Sequence, residues 1–147
     1  MDAKPLDALK LENQLCFPLY ACAKEVVRSY KPLLKDLDLT YTQYIAMMVL
    51  WEYGTVTSKF LGEKLYLDSG TLTPLLKKLE AKGYINRKRY EEDERNLLVS
   101  LTDAGSSLAY QALEIPEKMS KCVPLSDKDA AQLYKSLYEI LDALEDK

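Results

Sequence analysis

A chain of 147 residues, 48% of them hydrophobic and 29% charged, has the size and apolar content for one domain with its own core and not for a disordered tail. The complete lack of histidine removes the commonest metal ligand and the usual general base, which argues against a hydrolase or a zinc enzyme. A net charge of −3 has the wrong sign for a surface that meets phosphates everywhere, so any contact with nucleic acid must come from a local basic region. No run approaches the roughly 18 apolar residues of a membrane span. The first ten residues also lack the apolar stretch of a signal peptide, so the expectation is a cytoplasmic protein with no membrane partner. Cys16, Cys22 and Cys122 are an odd number without a CxxC pair, and they are expected to be free thiols.

In chain order, Leu15, Leu19, Ala23, Val26 and Tyr30 form one stripe of an amphipathic helix. Pro18 is tolerated only in a first turn, which places the helix start near Gln14–Phe17 and Cys16 at its N-terminus. Pro32 is expected to close this helix. Thr40 and Gln43 then read as a capping box for a helix that runs to about Tyr53 and stops at Gly54. Thr57 caps a short helix ending near Leu65. Asp68 caps another over residues 69–82, with Gly83 just past its end. Two helices joined by the brief Tyr66-Leu67 connection make a helix-turn-helix.

After Gly83 the apolar period changes from 3.6 to 2. Residues 84–90 and 96–101 are predicted strands, and the charged residues 91–95 are a predicted turn between them. A hairpin that follows the second helix of a helix-turn-helix is a wing. Thr102 then caps a long predicted helix through residues 104–121, which Pro124 breaks. Ser126 caps a last helix whose stripe is Leu133, Leu137, Ile140, Leu141 and Leu144. The fold expected is therefore mainly α with a small β-hairpin wing, a winged helix-turn-helix at about residues 40–101. Striped terminal helices, at about 10–31 and 102–145, flank it within the single domain 1–147.

That arrangement points to double-stranded DNA. Residues 69–89 hold six basic residues, Lys77, Lys78, Lys82, Arg87, Lys88 and Arg89, against Glu80 alone, a local positive stripe on an acidic chain. The first turns of a recognition helix meet base edges while flanking groups hold phosphates. Asp68, Ser69, Thr71, Thr73 and Pro74 occupy that end, and the proline ring suits a thymine methyl. Lys77 and Lys78 are expected as phosphate clamps or guanine readers, and Arg87 and Arg89 as backbone contacts from the first wing strand. Leu72, Leu75, Leu76 and Leu79 are core. Arg95, placed at the wing tip, suits the narrow, electronegative minor groove of A·T-rich DNA. A reader of a pseudo-palindromic operator needs two heads about 34 Å apart, and the striped terminal helices are the expected homodimer interface.

The block Asp68-Ser69-Gly70-Thr71-Leu72-Thr73-Pro74-Leu75-Leu76-Lys77-Lys78-Leu79-Glu80 and the wing block Asp93-Glu94-Arg95-Asn96 resemble the MarR family of bacterial repressors. The stretch Leu11-Glu12-Asn13-Gln14-Leu15-Cys16-Phe17 with Leu19-Tyr20 is similar to its organic-hydroperoxide-sensing (OhrR-type) branch and to related staphylococcal thiol-based regulators. The resemblance covers nearly the whole chain. It implies a bacterial, nucleoid-associated regulator whose wing arginine, Arg95, enters the minor groove aimed by Asp93. It also implies that Cys16 is the peroxide-sensing thiol, hydrogen-bonded by Tyr30 and Tyr41 contributed across the dimer, with Tyr20 lining the same pocket.

The residues agree with that assignment, because a helix N-terminus favours the thiolate, the form that attacks peroxides. Some members of the branch resolve the oxidised sensor with a second cysteine of the partner subunit. Cys122 is the candidate here, with a low-molecular-weight thiol as the other route. Cys22 is expected to be ordinary packing. The implied function is a dimeric repressor that releases its operator when an oxidant reaches Cys16. It requires no cofactor or metal and is not an enzyme. A MarR-type repressor released by a small phenolic or aromatic ligand is the competing reading.

Overall fold

In a computed structural model of the chain, residues 4–90 and 93–145 are described, residues 90 and 93–95 by their backbone alone. They divide into two compact units, Met1–Ile115 and Pro116–Lys147, which are taken in turn.

Two short 3-10 turns, Pro5–Leu9 and Leu11–Asn13, lead into helix α1, Cys16–Leu34. Pro18 is the third residue of α1, where its missing N–H has no intrahelical partner to lose. Pro32 does not close the helix as expected but lies inside it. It deletes one bond, to the carbonyl of exposed Arg28, while Leu34 and Leu37 beyond it are buried and hold the chain in place. A final 3-10 turn ends at Asp38, whose φ of 53° is left-handed.

Helix α2, Tyr41–Tyr53, begins with the expected box. The Gln43 amide donates to Thr40 Oγ1 at 3.3 Å, and the Thr40 amide donates back to Gln43 Oε1 at 3.1 Å. It is apolar around most of its circumference, as a helix enclosed by others must be. Ala46, Met47 and Leu50 are fully buried, together with Leu61, Leu76, Leu79, Ile85 and Val99 from the elements that follow. Each large side chain so enclosed stabilises the unit by about 1.5–3 kcal/mol.

Strand β1 is only Val56–Thr57, which the sequence reading missed because two residues have no period. Helix α3, Ser58–Leu65, is capped by Thr57, whose Oγ1 accepts from the Phe60 amide at 3.1 Å. Tyr66, with φ 57°, makes the reversal into helix α4, Ser69–Ala81. Gly83, with φ 83°, follows α4 where a left-handed residue lets the chain leave the helix. Strands β2, Ile85–Tyr90, and β3, Asp93–Leu101, complete a three-stranded antiparallel sheet of order β1-β3-β2. Residues 93–95, expected in the turn, are thus the start of β3. Asp93 pairs with Tyr90 across a register shift that follows the Arg89–Leu97 pair.

The long helix expected after Thr102 is two. Helix α5, Asp103–Ala112, stops, and α6 starts at Ile115 and ends at Ser120. Pro116 is the cause. It has no N–H for the Ala112 carbonyl and its ring crowds that oxygen. Gly105 lies in α5 where a Cβ would collide with the Tyr84 carbonyl oxygen.

In the second unit, the Cys122 amide turns back to the Met119 carbonyl at 3.0 Å, and Ser126 Oγ accepts from the Asp129 amide at 3.1 Å to start helix α7, Asp127–Glu145. No helix among the described residues is long and apolar enough to cross a membrane.

Candidate nucleic-acid interface and thiol site

Helix α4 is two-faced. Leu72, Leu75, Leu76 and Leu79 are buried, while Ser69, Thr71, Thr73, Pro74, Lys77 and Lys78 are exposed. The i, i+3, i+4, i+7 spacing of the leucines dictates this division and turns the hydroxyls and lysines to solvent as one strip. Asp68 Oδ1 accepts from the Thr71 amide at 2.7 Å. Hydrogen bonds from the Thr71 amide and hydroxyl and from the Gly70 amide hold the Asp68 carboxyl below its ordinary range, so it stays charged at the positive end of the helix. Asp68 is placed as the cap of the strip. Pro74 is the sixth residue of α4, in its second turn. It leaves the Gly70 carbonyl without its helical donor, at an exposed position on that strip.

The basic stripe is smaller than its six residues suggest. Lys82 Nζ turns back to α2, donating to Gln43 Oε1 at 3.0 Å and to the Asp38 carbonyl, with the Asp38 carboxylate at 3.7 Å. The Arg87 guanidinium is taken by Glu80, with Nη2 at 3.0 Å and Nε at 3.3 Å from Oε1, while the Arg87 amide donates to Oε2 at 2.9 Å. The Arg87 side chain is 18% exposed, which gives it a structural task. Those bonds hold the Glu80 carboxyl below its ordinary range. Sequence reasoning missed this pair because seven residues and a turn separate its members. Lys77, Lys78, Lys88 and Arg89 are exposed. The side chains of Asp93 and Arg95 lie outside the described residues.

The wing is also tied at its other strand. Asn96 Oδ1 accepts from the Ser58 hydroxyl at 2.8 Å and from the Lys59 amide at 3.0 Å, and Ser58 Oγ accepts from the Leu97 amide at 3.0 Å.

At the thiol site, Cys16 is the first residue of α1, exposed and unpaired, as are Cys22 and Cys122. Cys22 is therefore not packed within this chain, contrary to expectation. A groove lined by Lys10, Leu11, Glu12, Gln14, Phe17 and Pro18 adjoins Cys16 in sequence without including it. Tyr20 is 63% exposed, with the Lys24 ammonium 6.0 Å from its ring centre. Tyr30 stands fourteen residues from Cys16 on the same helix, a rise of about 21 Å, so within one chain it does not reach the sulfur.

Tyr30 and Tyr41 do meet each other, their ring centres 4.7 Å apart. Tyr44, which sequence reasoning passed over, joins them at 5.8 Å from Tyr30 and 6.5 Å from Tyr41. The signal for it was its place one helical turn from Tyr41. Burial pushes all three phenols above their ordinary value, and mutual repulsion adds to this for Tyr30 and Tyr44. Their hydroxyls are therefore protonated donors at neutral pH. Tyr44 also packs edge-on at 6.3 Å against Trp51, whose indole N–H donates to the Gly105 carbonyl at 2.9 Å. Among the described residues no group of three or more Cys, Asp or Glu could hold a metal.

Comparison with known proteins bears on both sites. Residues 28–111, more than half of the chain, match the transcriptional regulator SarA/Rot family. The chain is 52% identical over 141 residues to the organic hydroperoxide resistance transcriptional regulator of Bacillus subtilis (strain 168), covering 96% of each. It is similar to the structure of reduced AbfR bound to DNA, with 34% identity, a TM-score of 0.77, and 94% and 96% of the two chains covered. It is similar also to that of disulfide-formed AbfR, with 36% identity, a TM-score of 0.66 and 94% of each chain covered. A capped two-faced helix beside a hairpin, continuous with relatives that regulate transcription, places this chain in the SarA/Rot family of MarR-type transcriptional regulators, beside the organic-hydroperoxide branch.

Proposed function

We propose that the chain is a cytoplasmic, homodimeric repressor that binds a pseudo-palindromic operator when reduced and releases it when an organic hydroperoxide oxidises Cys16. The observation that carries this is the pairing on one chain of an exposed hydroxyl-and-lysine strip on α4 with an exposed thiol at the start of α1. The relatives supply the context: one is an organic hydroperoxide resistance transcriptional regulator, and another is known both reduced on DNA and disulfide-formed.

On the DNA side, Ser69, Thr71, Thr73 and Pro74 face base edges and Lys77 and Lys78 face phosphates. Arg89 holds backbone, and Arg95, aimed by Asp93, enters the minor groove. Arg87 contributes by fixing β2 to α4 through Glu80. Asp68 keeps the helix end ordered. The terminal helices, at about 10–31 and 102–145, hold the two heads of the dimer at the spacing of one DNA turn.

On the sensor side, the Cys16 thiolate attacks the terminal oxygen of ROOH. The O–O bond breaks, the sulfur becomes a sulfenic acid, and the alkoxide takes a proton and leaves as ROH. Tyr30 and Tyr41 reach that sulfur from the partner subunit, since the rise of α1 keeps those of the same chain away. As half-buried neutral phenols they donate to the thiolate and to the departing oxygen. Tyr20 lines the entrance. The thiolate of Cys122 from the partner then attacks the sulfenic sulfur, forming the disulfide and expelling hydroxide, which leaves as water once protonated. A shift at α1 moves the Tyr41 helix, and the two heads lose their common register.

The test is operator binding by reduced and cumene-hydroperoxide-treated protein. Wild type is expected to lose binding on oxidation and regain it with dithiothreitol, while Cys16→Ser keeps it throughout. Release of DNA by oxidised Cys16→Ser would overturn the sensor assignment, and Cys122→Ser separates a resolving thiol from a small-molecule cap.

A further inference from the structure

We infer that Asn96 is a wing-positioning residue, whose carboxamide completes the N-terminal cap of α3 and so sets where the wing stands relative to the helix-turn-helix. This rests on the proposed reading of the wing as a minor-groove contact.

A helix begins with amides that have no internal partner. In α3 the Phe60 amide is satisfied locally by Thr57. The Lys59 amide is satisfied by Asn96, thirty-seven residues on and on another element. The same Asn96 oxygen accepts the Ser58 hydroxyl proton, which leaves Ser58 Oγ free to accept from the Leu97 amide. Three hydrogen bonds thus close a ring between the first turn of α3 and two consecutive residues of β3. The two bonds of Ser58 are half-buried, where an unmet donor costs more than at the surface, while that of the Lys59 amide is exposed.

The location gives the ring its meaning. Backbone pairing between β1 and β3 is limited to Val56–Val99 and Thr57–Leu98, so it ends at Leu98. Asn96 fastens β3 two residues closer to the wing tip than the ladder does. Glu80 holds the other strand to α4 by gripping Arg87, which stands opposite Val99. Beyond these two clasps the strands pair with each other, across the register shift at Arg89–Tyr90. Among the side chains described, Asn96 is the one of β3 nearest the wing tip, and it is adjacent in sequence to Arg95. An arginine that reads a narrow groove is useful only if its base is held at a fixed distance from the recognition helix.

The experiment uses full-length wild type, Asn96→Leu, Ser58→Ala, Ser58→Thr and Arg95→Ala. The probes are two duplexes that share the half-sites wild type selects from a randomised pool. One is flanked by A·T pairs and the other by G·C pairs at the wing positions. Wild type is expected to prefer the A·T flanks by roughly tenfold, the size of one lost base-pair preference. Asn96→Leu and Ser58→Ala are expected to reduce that ratio toward one, as Arg95→Ala does. Ser58→Thr, which keeps the hydroxyl, restores it, and Asn96→Leu adds nothing in the Arg95→Ala background.

The inference is overturned if Asn96→Leu keeps the wild-type ratio. It is equally overturned if that variant weakens both duplexes alike on top of Arg95→Ala, the mark of a general loss of fold. If wild type shows no flank preference and Arg95→Ala matches it, the wing reading itself fails and the inference falls with it.

Discussion

Helix α4 and helix α7 are both amphipathic, yet they treat their apolar faces differently. In α4, Leu72, Leu75, Leu76 and Leu79 are all buried by neighbours from the same chain. In α7 no residue is buried, and Leu133, Ile140 and Leu144 are 46%, 43% and 56% exposed. Helix α1 resembles α7: of its nineteen residues only Leu34 is buried, and Phe17, Leu19, Val26 and Val27 stand open. The head satisfies its own apolar surface, whereas these helices carry exposed apolar stripes, the surface that the proposed dimer would cover. The proposed sensor follows the same division. Tyr30, Tyr41 and Tyr44 cluster within one chain, but Cys16 lies a helix-length from Tyr30.

Breaking the comparison at α7 is expected to have the largest effect. Ile140→Glu with Leu144→Glu puts charge into the stripe and leaves the head's own residues unchanged. Sedimentation should show monomers, and operator affinity should fall by about a hundredfold or more as two linked half-site contacts become one. A dimer that persists would show that α7 is not the interface.

Next comes the head's own core. Leu79→Ala leaves a cavity among fully buried neighbours and is expected to cost about 2–5 kcal/mol in chemical denaturation of the reduced protein, with no change in association of the folded fraction. Trp51→Phe keeps the ring beside Tyr44 but removes the bond to the Gly105 carbonyl, and about 1 kcal/mol should be lost.

The smallest effects concern pH. Tyr30, Tyr41 and Tyr44 have phenol values raised by burial. Below the ordinary tyrosine range both folded and unfolded chains hold these protons, so nothing is lost. As pH rises above that range the unfolded chain ionises first, and stability falls. Tyr44→Phe should therefore flatten the alkaline limb of a melting-temperature profile while leaving neutral pH nearly unchanged. Glu80 has the opposite sign. Held below its ordinary value by Arg87, it stabilises the wing clasp at neutral pH, and that contribution fades as acid protonates it through its lowered value. Glu80→Gln should lessen the pH dependence of stability on the acid side.

Much of the head was legible in the sequence because its signals are local. Caps at Thr40, Thr57, Asp68, Thr102 and Ser126 act within three residues, and the leucine spacing of α4 decides its buried face by helix geometry alone. Proline was legible only in part. Pro18 and Pro116 obey the same steric rule, yet the break at Pro116 was missed and Pro32 was given a break it does not make. Leu34 and Leu37 are buried beyond Pro32, but Met119 is buried beyond Pro116 as well, so the lost hydrogen bond by itself decides the outcome at neither position.

What the sequence by itself determined is the set of elements and the identity of the strip and the thiol, since those follow from period, capping and residue chemistry over short spans. What the tertiary structure decided is which charges remain available. Lys82 goes to Gln43, Arg87 to Glu80, and Asn96 to Ser58 and Lys59, across separations of 39, 7 and up to 38 residues. Partners that far apart leave no period to read. They are chosen by which donor lies nearest an unmet acceptor once the core has closed, because inside a packed fold an unpaired polar group is costly and the nearest partner takes it.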